Sequence, residues 1–396
     1  ICSSFKNKNV SLLHGVTSSG KTEIYVKLIN DFLKKDKQVL YLVPEIALTT
    51  QLISRLKQYF GDTLAVYHSK YSPEQRTEIW KKVIKNDSKA RVVIGARSSI
   101  FLPYNNLGLI IVDEEHENAY KQFNPAPRYH ARDSAIFLSS LHKAKTLLGS
   151  ATPSLESYYN AVTNKYGLVT LNKRYGNVSL PKIIINDLKE SVSKKMMNGN
   201  FSHILLNNIK KTFIKKEQVI LFQNRRGHSP YLECSSCGFV YQCINCDVSL
   251  TYHQATNQLK CHHCGYREQN NTKCKKCSNN TILKRGVGTQ QVEEDIKTIF
   301  PDIIVKRMDH DSTRKKNSFQ EIISAFENND FEILVGTQML TKGLDFKNVS
   351  LVGVINADSL IYFPDFRSQE KCFQLLQQVA GLSLIHISEP TRRVLI

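Results

Sequence analysis

A phosphate-binding loop constrains the fold of this 396-residue chain more than any other feature of its sequence. Residues 15–22 read Gly-Val-Thr-Ser-Ser-Gly-Lys-Thr and match the whole pattern G-x-x-x-x-G-K-[ST]. The apolar run VSLLHG leads into the loop, and the helix-like stretch TEIYVKLINDFLKK leads out of it. A strand before such a loop and a helix after it let backbone N–H groups hold phosphates. The sequence therefore predicts an α/β fold around a nucleotide site, rather than a chance glycine-rich turn.

The loop supplies a first set of predicted site residues. Lys21 is expected to reach the β- and γ-phosphate oxygens of ATP, and Thr22 to offer its hydroxyl to Mg²⁺. The remaining residues would surround the phosphates with their backbone N–H groups. The predicted ATP-binding residues of the loop are Gly15, Val16, Thr17, Ser18, Ser19, Gly20, Lys21 and Thr22.

An acidic motif, Asp113-Glu114-Glu115-His116, follows the apolar run LGLIIV. A carboxylate at the end of a parallel strand faces the binding loops of an open α/β sheet. Asp113 is therefore predicted to hold Mg²⁺, and Glu114 to orient and deprotonate the attacking water. Together with Lys21 and His116 they form the predicted catalytic set. A solvated acidic turn is the alternative interpretation.

The distribution of short apolar runs predicts two α/β units. Five runs separated by helix-like segments occupy residues 1–160, and four more lie between residues 218 and 358. Buried runs that alternate with helices are typical of parallel sheets covered on both faces. Several runs end in turns suited to ligand binding: LVPEIALTTQ (42–51), GARSSIFLP (95–103), GSATPS (149–154) and GTQMLTKGLDF (336–346).

Eight of the ten cysteines form four Cys-x-x-Cys pairs that interrupt the second unit. In a large chain with a nucleotide loop and no signal-like leader, this pattern predicts zinc and a reducing cytoplasm rather than disulfides. Eight thiolates suffice for two closed tetrahedral sites with no open position for water, so we expect structural zinc. Cys2 and Cys372 are predicted to be ordinary thiols.

The spacing of the four pairs favours a nested arrangement. Fourteen residues separate Cys246 from Cys261, a normal spacing for a zinc ribbon, whereas only five separate Cys237 from Cys243. The predicted zinc sites are an inner set, Cys243, Cys246, Cys261 and Cys264, and an outer set, Cys234, Cys237, Cys274 and Cys277. A sequential pairing, and ligation by His262 or His263, stay open as alternatives.

Charge indicates the class of partner. Lysine and arginine exceed aspartate and glutamate by 54 to 35, which gives a formal net charge of +19. This excess favours nucleic acid or an anionic membrane surface. No apolar run approaches the roughly 20 residues that a membrane span needs. The segment NAYKQFNPAPRYHARD (118–133) mixes aromatic, proline and arginine residues, as loops that stack on bases do. A structured surface loop is the alternative.

Taken together, these motifs resemble the PriA family of replication-restart helicases within superfamily 2. The resemblance rests on LLHGVTSSGKTEIY, LVPEIALT, DEEHENAYKQ, NRRGHSPYLEC, the eight cysteines and TQMLTKGLDFKNVSLVGVINAD, in unbroken order over roughly residues 8–381. It implies two RecA-like parallel-sheet lobes and an ATP-dependent 3′→5′ DNA helicase. Such a helicase recognises stalled or collapsed replication forks and initiates primosome assembly. The resemblance adds Gly343 and Asp345 to the ATP-binding residues and supports the nested zinc pairing.

The resemblance also implies partners and a domain plan. The expected partners are forked and single-stranded DNA, primosome proteins and single-stranded-DNA-binding protein, with ATP as substrate and Mg²⁺ and two Zn²⁺ as cofactors. A monomeric, cytoplasmic, nucleoid-associated protein is expected. The predicted domains are lobe 1 (1–178), the first part of lobe 2 (179–228), the zinc insertion (229–284) and the second part of lobe 2 (285–381). The family's N-terminal DNA-binding region and an initial methionine are absent, so we expect a fragment.

The last residues depart from the family. Its members continue QVAG with Arg-Ala-Gly-Arg, whose arginines contact the γ-phosphate, but here Leu382 follows Gly381. Residues 382–396 resemble a translated sequencing-adapter sequence, so a non-native tail that packs poorly is predicted. Replacement of the arginines by Arg392 and Arg393 is the alternative, although Pro390 would break a helix leading to them. The chain is expected to bind nucleotide weakly and to fail at DNA-stimulated hydrolysis.

Other functions stay open at this point. The chain could be a zinc-dependent DNA-binding scaffold with a vestigial ATPase, or another superfamily 2 DNA translocase. A phosphate-loop enzyme of another class, such as a kinase, would have no second motor lobe, and GTQMLTKGLDF argues against it. Stimulation of ATP turnover by DNA separates the helicase from the scaffold.

Overall fold

A computed structural model describes the whole chain except residues 45–49, 68–70, 175–180, 224–230, 247, 254–255, 262–263, 271–272, 286–287, 310–311, 314–317, 338–339, 341–345, 347, 356, 362–364, 382–384 and 389–396. The chain divides into two compact units, Ile1–Ser179 and Leu180–Ile396, and each is described by itself. Among the described residues, no helix combines the length and the apolar character needed to cross a membrane.

Unit 1 is built on a seven-stranded parallel sheet. Its strands are β1 (Val10–Gly15), β2 (Gln38–Leu42), β3 (Leu64–Tyr67), β4 (Val92–Gly95), β5 (Leu107–Asp113), β6 (Lys145–Ser150) and β7 (Gly167–Leu171). They lie side by side in the order β3-β4-β2-β5-β6-β1-β7. The strand that leads into the phosphate loop is thus separated by β6 alone from the strand that ends at Asp113.

Helices cover both faces of this sheet. They are α1 (Cys2–Asn7), α2 (Lys21–Leu33), α3 (Thr50–Phe60), α4 (Pro73–Ile84), α5 (Ala131–His142) and α6 (Leu155–Val162), with 3-10 turns at Gly61–Thr63, Ser88–Ala90, Arg97–Phe101 and Asn118–Tyr120. Successive strand residues pack into opposite core clusters, as Ile110 and Ile111 of β5 do. Because neither face is open to solvent, the strands are nearly continuous apolar runs.

Unit 2 contains a six-stranded parallel sheet. Its strands are β8 (Lys182–Ile185), β11 (Gln218–Gln223), β17 (Val305–Met308), β18 (Ile333–Gly336), β19 (Val349–Ile355) and β20 (Ile385–Ser388), and a short hairpin pairs β9 (Met197–Asn198) with β10 (Phe201–Ser202). The order of the large sheet is β17-β18-β11-β19-β20-β8. Its helices are α7 (Leu188–Ser193), α8 (His203–Ile214), α9 (Thr289–Ile299), α10 (Ser318–Glu327), α11 (Asp358–Ile361) and α12 (Ser368–Ala380).

The cysteine-rich segment is inserted in unit 2 between β11 and α9. It forms an antiparallel pair of β12 (Tyr231–Cys234) with β16 (Ile282–Arg285), and an antiparallel sheet of β13 (Thr251–His253), β14 (Gln258–Lys260) and β15 (Arg267–Gln269). Its apolar core is small, and two of the seven buried residues in that cluster are cysteines. The predicted fold class, two parallel α/β units with a cysteine-rich insertion in the second, is confirmed.

The prediction that residues 382–396 pack poorly is contradicted by the backbone of residues 385–388. These residues form β20, which pairs in parallel with β19 on one side and with β8 on the other. The sequence Ile-His-Ile-Ser has the alternation and the β-branched residues that favour a strand, whatever its origin. The backbone groups of β19 and β8 supply its hydrogen-bonding partners.

Candidate functional site: a phosphate loop, its carboxylates and two cysteine clusters

The phosphate loop turns tightly between β1 and α2. Gly20, the residue before the helix, has a φ of 83°, in the left-handed region that glycine tolerates best. A Cβ atom on Gly15 would lie 2.8 Å from Ser19 Oγ, so a side chain at the start of the loop would require the Ser19 side chain to move. No side chain caps the N-terminus of α2. The first backbone N–H groups of the helix are therefore left to face a ligand, as phosphate binding requires.

Lys21 folds back over the loop. Its Nζ donates to the carbonyl oxygen of Gly15 at 2.9 Å and lies 3.4 Å from that of Val16. This places the ammonium group at the concave side of the loop, where phosphate oxygens can replace the carbonyls as acceptors. The loop residues predicted from the sequence are thus brought together around one anion-binding turn.

Asp113 is held from three directions at the end of β5. Its Oδ1 accepts hydrogen bonds from the Tyr25 hydroxyl at 3.0 Å and from the Glu114 N–H at 3.1 Å. Its Oδ2 accepts from the Tyr41 hydroxyl at 3.2 Å. Burial raises the pKa of the Asp113 carboxyl, and the charge of Lys21 together with these hydrogen bonds opposes the shift. The hydrogen bonds therefore fix the orientation of the Asp113 carboxylate. It lies close enough to Lys21 for the lysine charge to lower its pKa.

Glu114 has the features expected of a general base. Its backbone has a φ of 46°, an uncommon value for a residue other than glycine. Burial raises the pKa of its carboxyl, which Lys21 and His116 lower and Asp113 raises. Its Oε2 lies 3.6 Å from His116 Nδ1 and makes no hydrogen bond with the described residues. A raised pKa and a free acceptor suit a group that takes a proton from water.

His116 joins the acidic motif to the GSATPS segment. Its Nδ1 lies 2.8 Å from Ser150 Oγ, and its Nε2 lies 3.4 Å from Thr152 Oγ1. The backbone N–H of Thr152 in turn donates to Ser150 Oγ at 2.9 Å. The two motifs, separated by more than thirty residues, form one hydrogen-bonded group at adjacent strand ends.

Glu115 is the central residue that the sequence analysis did not single out. It is fully buried and accepts hydrogen bonds from the Ser154 N–H at 2.7 Å and the Ser157 hydroxyl at 2.7 Å. Arg132, near the start of α5, donates to its Oε2 at 3.0 Å. A carboxylate so well supplied with donors is structural rather than reactive. Arg132, the second arginine of RYHARD, was the one feature of the sequence that could have pointed to a buried partner for Glu115.

The 118–133 segment contacts both the acidic motif and the GARSSIFLP segment. The buried hydroxyl of Tyr120 lies 2.6 Å from the carbonyl oxygen of Asp113. Arg97 donates to the carbonyl of Lys121 at 3.3 Å, and the rings of Phe101 and Tyr129 meet edge to face with centroids 4.8 Å apart. Phe101 and Phe123, one in each segment, are each 63% exposed. The two segments, which are separate in sequence, thus meet through aromatic rings, and we call their exposed phenylalanines the aromatic surface of unit 1.

The eight paired cysteines form two clusters. The sulfur atoms within each cluster lie within 4.8 Å of one another. The clusters are Cys234, Cys237, Cys274 and Cys277, and Cys243, Cys246, Cys261 and Cys264. This is the nested grouping. The alternative ligands His262 and His263 lie outside the described residues. Ligation of zinc by these sulfurs stays a prediction.

The sulfur geometry fits zinc. The Sγ atoms of Cys234 and Cys277 are 3.5 Å apart, and those of Cys237 and Cys274 are 3.6 Å apart. A tetrahedral site with Zn–S bonds of about 2.3 Å has sulfur–sulfur edges of about 3.8 Å. A disulfide would need about 2.05 Å. The inner cluster has the same spacing, with 3.5 Å between the Sγ atoms of Cys243 and Cys264. In both clusters the donors are therefore placed for a shared metal ion and not for disulfides.

All four Cys-x-x-Cys pairs adopt the same turn. The N–H of each first cysteine donates to the carbonyl five residues later, in the pairs Cys234–Phe239, Cys243–Val248, Cys261–Tyr266 and Cys274–Asn279. The residue after the second cysteine has a positive φ in three of them: 64° at Gly238, 79° at Gly265 and 58° at Ser278. In the fourth pair that residue lies outside the described ones. This repeated turn points both sulfurs of a pair to one side.

The ATP contacts predicted from GTQMLTKGLDF cannot be placed in the same way, since Gly343 and Asp345 both lie outside the described residues. The residues Tyr25, Tyr41 and Glu115, by contrast, surround the predicted site without having been predicted. Each acts through another residue, and nothing in the local sequence of the two tyrosines distinguishes them from ordinary core residues.

Three protein families match parts of the chain. Residues 2–161 match the DEAD/DEAH box helicase family, residues 243–269 the PriA DNA helicase Cys-rich region (CRR) domain, and residues 288–381 the helicase conserved C-terminal domain. Replication restart protein PriA of Bacillus subtilis (strain 168) is 46% identical over 375 residues, which are 94% of this chain and 46% of that protein. The PriA protein of Haemophilus influenzae is 44% identical over 94% of this chain and 50% of its own length. The chain thus spans about half the length of these curated relatives.

Solved structures support the fold. RecG bound to a three-way DNA junction aligns with 98% of this chain and 40% of its own, with a TM-score of 0.52 and 16% identity. The DUF1998 helicase MrfA bound to DNA aligns with 98% of this chain and 47% of its own, with a TM-score of 0.55 and 14% identity. At such low identity the likeness concerns the fold alone.

Proposed function

Because the chain belongs to the PriA family of superfamily 2 helicases, we propose that it is the motor of an ATP-dependent 3′→5′ DNA helicase that acts in replication restart. The proposal extends to recognition of stalled or collapsed forks and to initiation of primosome assembly. The observation that carries it is the arrangement of the phosphate loop and the Asp113–His116 motif at the ends of two strands that only β6 separates, together with an identity of 46% to a PriA protein over 94% of the chain.

In this proposal unit 1 binds and hydrolyses ATP. The N–H groups of the loop and the Lys21 ammonium bind the phosphates, while Thr22 and Asp113 would hold Mg²⁺. When bound, Mg²⁺ neutralises charge that develops on the transferring phosphate. Glu114 orients the attacking water and takes its proton at Oε2, the carboxylate oxygen that makes no hydrogen bond with the described residues. His116, whose Nδ1 lies 3.6 Å from this oxygen, is itself positioned by Ser150 and Thr152.

The aromatic surface of unit 1 is the proposed DNA contact. Exposed Phe101 and Phe123 offer rings on which bases can stack, a mode that tolerates any sequence. The hydroxyl of Tyr120, in the 118–133 segment that contains Phe123, hydrogen-bonds to the backbone carbonyl of Asp113. The net charge of +19 supports binding to phosphates of the DNA backbone. DNA bound on this surface would thus act on the position of the catalytic carboxylates.

The insertion is proposed to carry two structural zinc ions. A closed set of four thiolates leaves no position for water, so the metal would fold the segment and not act in catalysis. We retain the predicted domain boundaries at residues 178, 228, 284 and 381 as part of this proposal. The primosome proteins, single-stranded-DNA-binding protein, monomeric state and nucleoid-associated cytoplasmic location are also proposed.

Strand-tailed duplexes test the proposed activity. The chain, extended to the full length of its relatives, should unwind a duplex with a 3′ single-stranded tail in an ATP-dependent reaction, and a duplex with a 5′ tail poorly. Glu114→Gln should still bind ATP but stop unwinding. A preference for the 5′ tail would overturn the direction. DNA binding that needs zinc but proceeds with no unwinding would favour the scaffold alternative.

A further inference from the structure

The hydroxyl groups of two buried tyrosines converge on the Asp113 carboxylate. Tyr25 comes from α2 and Tyr41 from β2, and their hydroxyls donate to Oδ1 and Oδ2 at 3.0 and 3.2 Å. Both side chains are 0% exposed. Their rings meet edge to face, with centroids 5.6 Å apart and planes at 74°. Side chains from α2 and β2 thus hydrogen-bond to the same carboxylate from within the core.

These tyrosines act as donors. An ionised carboxylate only accepts hydrogen bonds, so the phenol hydroxyls of Tyr25 and Tyr41 must be the donors in both contacts. Each carboxylate oxygen can accept about two hydrogen bonds. From the described residues Oδ1 accepts two, from Tyr25 and from the Glu114 N–H, whereas Oδ2 accepts one, from Tyr41. Within this part of the chain, the remaining acceptor position of the carboxylate therefore belongs to Oδ2.

The local packing is shaped around this contact. Gly149 of β6 stands opposite Asp113 in the sheet, and a Cβ atom there would lie 1.8 Å from the Tyr25 hydroxyl oxygen. Only glycine leaves space for the Tyr25 hydroxyl to reach the carboxylate. Tyr25 also lies three residues after Thr22 on α2, so the two side chains share a face of that helix. One helix thus carries both the predicted hydroxyl ligand of Mg²⁺ and the donor that fixes its predicted carboxylate ligand.

We propose that Tyr25 and Tyr41 are positioning residues for the magnesium site, which hold the Asp113 carboxylate so that Oδ2 faces the metal. This inference rests on the proposed function, in which Mg²⁺ accompanies ATP at this loop. Groups that hydrogen-bond to a metal-binding carboxylate fix its orientation, and their loss typically lowers metal affinity by about 10- to 100-fold. A purely structural role would instead show itself as lost stability with unchanged metal affinity.

The test is Mg²⁺-dependent binding of a fluorescent ADP analogue to the 396-residue chain, which requires no hydrolysis. Mg²⁺ is titrated at a fixed analogue concentration for the native chain, Tyr25→Phe and Tyr41→Phe. Each variant should need about tenfold more Mg²⁺ for half-maximal enhancement, with nucleotide affinity in EDTA unchanged. Binding of Mn²⁺ followed by electron paramagnetic resonance gives a second readout of the metal itself.

Tyr104→Phe is the matched control. Tyr104 is also buried in unit 1, and its hydroxyl donates to the carbonyl of Ser99 at 3.0 Å, away from any carboxylate. This variant should leave the Mg²⁺ requirement unchanged while losing a comparable buried hydrogen bond. Native-like Mg²⁺ titrations in both Tyr25→Phe and Tyr41→Phe would overturn the inference. Failure of the native chain to bind Mg²⁺ and nucleotide together would instead overturn the proposed nucleotide site.

Discussion

The Glu115–Arg132 ion pair provides the most quantitative test of how unit 1 is held together. Glu115 is 0% exposed and Arg132 is 9% exposed, and their closest atoms are 3.0 Å apart. Replacing Glu115 by Gln removes the buried counterion of the guanidinium, which keeps only the exposed carboxylate of Asp133, and presents an NH₂ group to existing donors. Removing one partner of such a pair costs about 3–5 kcal/mol. Glu115→Gln should therefore lower the free energy of unfolding of unit 1 by that amount.

A double-mutant cycle isolates the pair. Arg132→Met should also cost about 3–5 kcal/mol, because the carboxylate keeps only its serine and backbone donors. The double variant should be less destabilised than the sum of the singles, with a coupling energy of about 2 kcal/mol. At about 2 kcal/mol per molar urea, a loss of about 4 kcal/mol lowers the midpoint by about 2 M.

Urea unfolding followed by tryptophan fluorescence measures this cycle. The chain has a single tryptophan, Trp80 on α4 of unit 1, so its emission reports on that unit. Glu78→Gln, the same chemical change in an exposed ion pair with Lys82, should leave the midpoint unchanged. Additive effects of the two core substitutions, or a midpoint of Glu115→Gln equal to that of the native chain, would refute the reasoning.

Three further predictions concern the cysteines. Cys243→Ser should release one of two zinc ions in metal analysis and leave the outer site filled; loss of zinc from the site of Cys234 alone would contradict the nested pairing. Ser278 has a φ of 58°, which glycine adopts without strain, so Ser278→Gly should stabilise the insertion by about 1 kcal/mol. The variant should then need a higher chelator concentration to lose its zinc. An unchanged or lower chelator concentration would argue against backbone strain at Ser278. In zinc-loaded protein at pH 8, the exposed thiol of Cys2 should react with a thiol reagent. Cys372 should not react, because burial raises the pKa of its thiol to about 12. Rapid modification of both thiols would contradict the buried position of Cys372.

Local motifs explain why the phosphate loop and the acidic motif could be predicted. The loop needs its glycines and Lys21 within eight consecutive residues, and its flanking strand and helix are adjacent in the chain. Asp113 could be placed because parallel strands end at the same edge of a sheet. The two units and their parallel sheets follow from apolar runs that are buried on both faces.

Contacts over long sequence distances explain what was missed. Tyr25 and Tyr41 are 88 and 72 residues from the carboxylate that they contact, and both sit in apolar stretches typical of a core. Glu115 was not predicted because the roles in the motif were assigned to its neighbours Asp113 and Glu114. In the structure, however, its carboxylate accepts hydrogen bonds from Arg132, Ser154 and Ser157. The roles of Tyr25, Tyr41 and Glu115 depend on which strands are neighbours in the sheet, and a single sequence does not specify the strand order.

The end of the chain shows the converse error. The predicted non-native origin of residues 382–396 led us to expect poor packing, yet the backbone of residues 385–388 forms a strand between β19 and β8. A short alternating segment can complete a sheet wherever two strand edges are available, irrespective of the history of its sequence. The inference from Leu382 to weak hydrolysis stays a prediction, because residues 382–384 lie outside those described.

ATP turnover with and without DNA tests the central claim most directly. The chain extended to the length of its relatives should hydrolyse ATP faster when single-stranded or forked DNA is added. Lys21→Ala should abolish this turnover while both zinc ions remain bound, because the lysine acts at the phosphates and the cysteines belong to the other unit. Turnover that DNA leaves unchanged, or that persists in Lys21→Ala, would contradict the assignment of an ATP-driven DNA motor.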